Sequence, residues 1–260
     1  MRFSANLSFL FKDAPFDQRF ARAADAGFRG VEFMWPGIEA MDAVARAVQK
    51  TGLEVALFNF DAGDMAAGDR GLAGDPDRRE QFRANVPVAL EFAARVGCQR
   101  LNALVGVHRV GLALEAQLEV ARENVAWAAE QARAQGATIL IEPVNSQQNG
   151  PYLLDTPAKA VAFLDAVGAD NVALQYDVYH AQRMEGNLAE TITRLLRRIG
   201  HIQIADPPGR GEPGTGEVNY RFVLSLLERS GYGGWVGLEY NPTTPTTEES
   251  FDWMKELGYA

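Results

Sequence analysis

Residues 138–177 read TILIEPVNSQQNGPYLLDTPAKAVAFLDAVGADNVALQYD, and the order of elements in them decides the fold. Thr138–Ile141 is a short apolar run that ends in Glu142. A run of this length between polar residues reads as a buried strand. Thr156 followed by Pro157 has the form of an N-cap with proline at the first helical position. Val167-Gly168 is the stop, because glycine accepts the backbone conformation that closes a helix. Val172–Gln175 is the next strand, and it runs through Tyr176 into Asp177. Strand, helix, strand in this order predicts a parallel pair joined by a helical crossover.

The same unit recurs on both sides. Apolar runs at Phe3–Phe9, Gly30–Met34, Glu54–Phe58, Arg100–Leu104, His201–Ala205 and Trp235–Leu238 read as further strands. Helical periodicity lies between them. Over Leu114–Gln135, Leu114, Leu118, Val125 and Ala129 share a face, with Glu115, Glu119, Arg122 and Glu123 elsewhere. Val223, Leu226 and Leu227 make a similar stripe, and Ala26-Gly27, Thr51-Gly52 and Gly136 are further stops. Eight strands thus alternate with eight helices. Eight units close a (β/α)₈ TIM barrel, which takes roughly 250 residues. The expectation is one such domain over residues 1–260, with no linker or low-complexity segment. An open doubly wound sheet would need a glycine-rich fingerprint at its first turn. Leu7-Ser8-Phe9-Leu10 has none.

Composition narrows the function. Hydrophobic residues make up 47% and charged residues 23%, as in a packed domain. Against 34 Asp and Glu stand 25 Lys and Arg, a net charge of -9. An acidic chain lacks the basic footprint that nucleic acid or an anionic membrane requires. Cys98 is the single cysteine, which excludes an intrachain disulfide and a cysteine-rich zinc cluster. With only His108, His180 and His201 available, any metal site must rely on carboxylates and amides. The N-terminus has no signal-peptide pattern, and no stretch of 18 apolar residues occurs. A cytoplasmic protein acting on a small molecule is expected, with neither nucleic acid nor membrane as partner. A homo-oligomer is compatible with this reading.

In a barrel of this kind the functional residues sit at the C-terminal ends of the strands. Glu142 follows strand five, Asp177 follows strand six, Gln203 lies in strand seven between Ile202 and Ile204, and Glu239 follows strand eight. A single carboxylate at a strand end is commonly a helix cap or loop anchor. Three on one rim repel each other unless a cation lies between them. Three carboxylates and an amide oxygen suit a hard divalent cation, Mg²⁺ or Mn²⁺. His180 is three residues past Asp177, either a surface histidine or a donor to a substrate oxygen. His201 begins strand seven, away from that rim, and reads as structural. His108 lies in the loop after strand four with nothing else to single it out. Two long loops, 61–78 and 207–216, are rich in glycine, and the second carries Arg210. That second loop reads equally as a phosphate binder without Walker spacing or as an ordinary connection. His180 and Arg210 are the two groups here that could meet a substrate oxygen.

Longer strings carry a resemblance. They include Ala62-Gly63-Asp64, Arg70-Gly71, Ile141-Glu142-Pro143, Gln175-Tyr176-Asp177-Val178-Tyr179-His180, His201-Ile202-Gln203-Ile204-Ala205-Asp206 and Arg210-Gly211-Glu212-Pro213-Gly214-Thr215-Gly216-Glu217. With Gly234-Trp235-Val236-Gly237 and Glu239-Tyr240, the chain resembles the hydroxypyruvate isomerase family, within the xylose isomerase-like TIM barrels, over almost its whole length. The resemblance implies a divalent cation held by Glu142, Asp177, Gln203 and Glu239, the residues that the strand ends also select. It further implies that Glu142 and Glu239 form the proton-transfer pair of an aldose–ketose isomerase working through an enediolate. Hydroxypyruvate would give tartronate semialdehyde. Strand three departs from the family pattern: Phe58-Asn59-Phe60 replaces a His-Asn pair and is closer to the 2-oxo-tetronate isomerases. The substrate therefore stays open between these two acids. A ketose 3-epimerase is a further alternative, although it usually carries histidine where Gln203 stands. A DNA-repair endonuclease on this barrel needs many histidines, and an inert sugar-acid binder has no need of the carboxylate set.

Overall fold

In chain order the strands are β1 (Arg2–Asn6), β2 (Gly30–Phe33), β3 (Glu54–Asn59), β4 (Arg100–Asn102), β5 (Thr138–Ile141), β6 (Val172–Asp177), β7 (Ile199–Ile204) and β8 (Trp235–Leu238). They come from a computed structural model that describes residues 1–259. Each strand is parallel to the next, and β8 pairs with β1, so the sheet closes into the expected (β/α)₈ barrel. The closing register sets Arg2 against Trp235 and Ala5 against Leu238.

The helices that cover the barrel are α1 (Arg19–Asp25), α2 (Met41–Thr51), α3 (Arg79–Val96), α4 (Leu114–Arg133), α5 (Ser146–Asn149), α6 (Pro157–Val167), α7 (Val178–Met184), α8 (Leu188–Leu195), α9 (Tyr220–Arg229) and α10 (Asp252–Leu257). Strict one-to-one alternation therefore fails in two places. A single turn, α5, precedes α6, and both α7 and α8 lie between β6 and β7. The capping signals are used as the sequence suggests. Thr156 accepts a hydrogen bond from the Lys159 N–H, and Gly52 and Gly168 close α2 and α6 in the left-handed conformation. No helix among the described residues is long and apolar enough to cross a membrane.

Three strands are shorter than their apolar runs: β1, β4 and, by Met34 alone, β2. At the end of β1 the Asn6 carbonyl accepts from Phe9 and Leu10, and its side-chain oxygen from Ser8. The chain turns there, so Leu7 and Phe9 are apolar without being strand residues. Likewise β4 ends at Asn102 rather than at Leu104.

Side chains alternate across the barrel wall. Ile139, Ile141, Ile202, Ile204, Val236 and Leu238 join the apolar core between sheet and helices. The alternate set includes Ser4, Asn6, Glu32, Asn102, Gln175, His201 and Gln203, all buried. The barrel interior is thus polar, where aliphatic layers are usual. Glu32 is its centre. Its Oε2 accepts from Ser4 Oγ at 2.6 Å and contacts His201 Nε2 at 2.8 Å. Its Oε1 accepts from Gln203 Nε2 at 2.8 Å and Asn6 Nδ2 at 3.2 Å. Position 237 must be glycine to admit this carboxylate, since a Cβ there would lie 2.3 Å from both oxygens.

Burial alone would raise the Glu32 pKa, but His201 and the hydrogen bonds from His201, Ser4 and Gln203 hold it below the usual carboxylate range. The sign follows: Glu32 stabilises the fold above the ordinary carboxylate pKa, and this is lost as pH falls through the lowered native value. Glu32→Ala leaves Ser4 and His201 without their carboxylate and takes one of two carboxylates from Asn6 and Gln203. Removing one partner of a buried pair costs about 3–5 kcal/mol. Urea unfolding at neutral pH should show a loss of that order, and a change under about 0.5 kcal/mol would place Glu32 outside the interior network.

Candidate active site

The C-terminal ends of β5, β6 and β8 deliver Glu142, Asp177 and Glu239 to one place. Oxygens of these three and a ring nitrogen of His180 lie within 4.8 Å of one another, and all four residues are buried. Each carboxylate has one oxygen fixed by a neutral donor. Asn102 Nδ2 donates to Glu142 Oε2 at 2.8 Å. The Tyr179 N–H donates to Asp177 Oδ1 at 2.7 Å, which caps α7. Asn6 Nδ2 and Gln203 Nε2 reach Glu239 Oε1 at 3.1 and 3.3 Å. The second oxygens are left for other partners. Asp177 Oδ2 is buried with no hydrogen bond at all.

Because Asp177 caps α7, His180 falls in its first turn, against the strand end. Its Nε2 is 3.5 Å from Asp177 Oδ2 and 3.8 Å from Glu142 Oε1. The hydrogen on that ring is assigned by the network. Gln148 N–H donates to Asn145 Oδ1 at 3.0 Å, so Asn145 turns its NH₂ to His180 Nδ1, 2.6 Å away. The Asn145 backbone N–H points to the same nitrogen at 3.3 Å. Nδ1 therefore accepts, and Nε2 carries the hydrogen into the site. Burial, with Arg210 and Arg183 adding to it, pushes the His180 pKa well below its ordinary value and keeps the ring neutral.

Arg210 enters from the loop after β7. Its Nη2 contacts Glu239 Oε2 and lies 3.8 Å from Asp177 Oδ2. The guanidinium packs over Phe9 at 4.6 Å and Tyr179 at 5.1 Å. Burial raises the pKa of Glu142, Glu239 and Asp177. At Glu142, the charges of Glu239 and Asp177 add to it. At Glu239 and Asp177, Arg210 works in the opposite direction. Perturbed carboxylates gathered in one cleft mark a candidate functional site.

Gln203 reaches the same cluster through its NH₂ group, while its Oε1 accepts from Gln175 Nε2 at 2.6 Å. His201 is the Glu32 partner inside the barrel, and His108 Nε2 contacts the Leu112 carbonyl, so neither joins the site. The loop at 207–216 folds around an anion of its own. Asp206 accepts from the Gly214 and Val218 N–H groups, which are thus closed to a phosphate. The cleft at the carboxylates has a volume of about 50 Å³, with Asn59, Arg70, Glu142, His180, Arg210 and Glu239 among its walls. A larger cavity of about 850 Å³ lies at the opposite end of the barrel, beside Arg100, Val172 and Gly200 at strand starts. It holds none of the carboxylate cluster. The sequence reading passed over Asn6, Asn102 and Asn145. Asn6 and Asn102 end their strands as Glu142 follows its own, and the overlong apolar runs hid that position.

Comparison with known proteins places the chain. A family described as xylose isomerase-like TIM barrel matches residues 20–257. This chain belongs to that family. This xylose isomerase-like chain is 44% identical to hydroxypyruvate isomerase of Escherichia coli (strain K12), with 98% of each chain covered. It is 41% identical to 2-oxo-tetronate isomerase of Cupriavidus necator, over 98% of this chain and 97% of that one. Among solved structures, AP endonuclease, family 2 from Brucella melitensis matches with a TM-score of 0.94 at 42% identity, over 98% of each.

The His180 tautomer is directly measurable, since the chain has only three histidines. Nitrogen-15 NMR of the ring should show the hydrogen on Nε2 and a bare Nδ1. Asn145→Asp keeps the acceptor for Gln148 and removes the NH₂, and it should move the hydrogen to Nδ1. A protonated Nδ1 in the parent protein contradicts the assignment.

Proposed function

We propose that this protein is a divalent-metal-dependent aldose–ketose isomerase of small hydroxy-oxo acids, with hydroxypyruvate and tartronate semialdehyde as its pair. The coarser part follows from kinship: it is a sugar-acid isomerase, an intramolecular oxidoreductase. One observation carries the finer reading. Three buried carboxylates, each with one oxygen held by a neutral donor, cluster beside the Nε2–H of His180, with Arg210 on the second oxygen of Glu239. We take residues 1–260 as one catalytic domain.

Glu142, Asp177, Gln203 and Glu239 would hold the cation. The unpartnered Asp177 Oδ2 and the oxygen-rich donor set fit Mg²⁺ or Mn²⁺. For Gln203 to serve, its amide has to leave Gln175 and present Oε1. When bound, such a cation polarises substrate oxygens as a Lewis acid and offsets the charge of an enediolate.

The protein's own groups move the protons. One of Glu142 and Glu239 takes the proton from the hydroxymethyl carbon of hydroxypyruvate. The electron pair of that C–H bond becomes the carbon–carbon double bond of the enediolate. A proton is then delivered to the former carbonyl carbon by the other carboxyl group. Burial raises both glutamates above the ordinary carboxylate range, the direction that favours taking up and returning a proton. The hydroxyl proton passes to the former carbonyl oxygen, where the His180 Nε2–H donates. Arg210, held on Glu239 beside the cluster, offsets the negative charge there while His180 serves the substrate oxygen.

A 2-oxo-tetronate is the second reading, favoured by Asn59 in the wall of the cleft within Phe58-Asn59-Phe60. Gln203, where the ketose 3-epimerases usually carry histidine, disfavours that alternative. The charge of -9, and a single histidine in the cluster, disfavour DNA cleavage.

The test compares hydroxypyruvate, 2-oxo-tetronates and free ketoses at equal enzyme concentration, with and without a chelator. Hydroxypyruvate should have the highest kcat/KM, and Mg²⁺ or Mn²⁺ should restore activity that the chelator removes. Glu142→Gln and Glu239→Gln should each lower kcat by about 10²–10⁴-fold, the usual share of general acid–base catalysis. Two Gln variants turning over like the parent would refute the proton-transfer pair.

A further inference from the structure

We infer that Arg70, on the loop between β3 and α3, is the anchor for the substrate carboxylate and sets the preference for acids over neutral ketoses. In naming the substrate class this rests on the isomerase reading above. Two arginines line the cleft, Arg70 and Arg210. Arg210 is already engaged by Glu239 and Asp177. Arg70 meets only neutral acceptors. Its Nε donates to Asn149 Oδ1 at 3.0 Å, and its Nη1 to the carbonyls of Met65 at 3.1 Å and Asp69 at 2.7 Å. Among the described residues no carboxylate pairs with it, and its Nη2 makes no hydrogen bond. The cleft therefore contains one guanidinium whose charge is not cancelled and whose outer nitrogen is free.

The loop holds this group in place. Gly71, the next residue, has φ +125°, and a Cβ on it would lie 2.2 Å from the Leu104 carbonyl. Its N–H donates to the Ala62 carbonyl at 3.1 Å. The backbone at position 70 is thereby pressed against the end of β4. Asn149, the partner of Arg70 Nε, also donates to the Asn145 carbonyl at 3.1 Å. The same short turn thus holds Arg70 on one side and sets the His180 ring on the other.

The chemistry needs such a group. A carboxylate entering a cleft walled by Glu142 and Glu239 meets like charge there. A preset guanidinium supplies a charge-assisted hydrogen bond at little ordering cost. A neutral ketose of the same size has no group for it, so selectivity comes with the anchor.

The experiment compares the parent, Arg70→Met and Arg70→Lys with hydroxypyruvate and with dihydroxyacetone, its neutral counterpart. Calorimetric titration with glycerate, an acid with no oxo group to isomerise, reads binding apart from turnover. Arg70→Met should raise KM for hydroxypyruvate by about tenfold or more, a fall in kcat being the smaller effect. Glycerate affinity should fall in step, and the kcat/KM ratio of hydroxypyruvate to dihydroxyacetone should drop by a similar factor. Arg70→Lys, which keeps the charge, should lie between, and it decides the matter if the Met variant does not fold. Unchanged KM and glycerate affinity, or equal losses on both substrates, overturn the anchor. A parent that binds glycerate through Arg70 yet does not isomerise hydroxypyruvate defeats the isomerase reading and leaves the anchor standing. A parent that isomerises hydroxypyruvate with no help from Arg70 does the reverse.

Discussion

Burying three carboxylates with oxygens within 4.8 Å of one another is the costly act on which this structure turns. Desolvation and mutual repulsion both oppose it. The barrel meets the cost by holding one oxygen of each group with a neutral donor. Asn102 takes Glu142, the Tyr179 N–H takes Asp177, and Asn6 takes Glu239. Each donor comes from a different element, so the geometry is enforced by the closed sheet. The price is an excess of negative charge at the strand ends, relieved in part by Arg210.

The polar interior extends this control downwards. Asn6 Nδ2 and Gln203 Nε2 each touch two carboxylates, Glu32 below and Glu239 above. Two amide groups therefore bridge the acid inside the barrel and one acid of the rim cluster. Glu32 is in turn fixed by Ser4 and His201, with Gly237 giving it room. A change at the base of the barrel should reach Glu239 through these amides. This coupling also explains why His201, far from the rim in sequence terms, is buried and polar without being part of the site.

The closed barrel was legible because its signals are local: short apolar runs, Thr156-Pro157 and Gly168 each act over a few residues. Glu142, Asp177 and Glu239 were legible for the same reason, as polar residues at the ends of such runs. His180 stood at a suggestive spacing, but its role needed Asn145, thirty-five residues away in the chain. The run Phe3–Phe9 concealed Asn6, because apolar residues continue after the strand has turned. Arg70 lay in a loop whose length drew notice while its contacts did not. They depend on Asn149 and on the close approach of Gly71 to Leu104, neither of which leaves a local pattern.

The central claim is that two glutamates carry a proton between neighbouring carbons. Isomerisation of hydroxypyruvate in D₂O, followed by proton and deuterium NMR, tests it most directly. A carboxyl group that holds the proton during an enediolate step can exchange it with solvent, so deuterium should appear on carbon in the product and in recovered substrate. Complete transfer of the original hydrogen, with no deuterium on carbon in either compound, would point to a direct hydride shift and contradict the account.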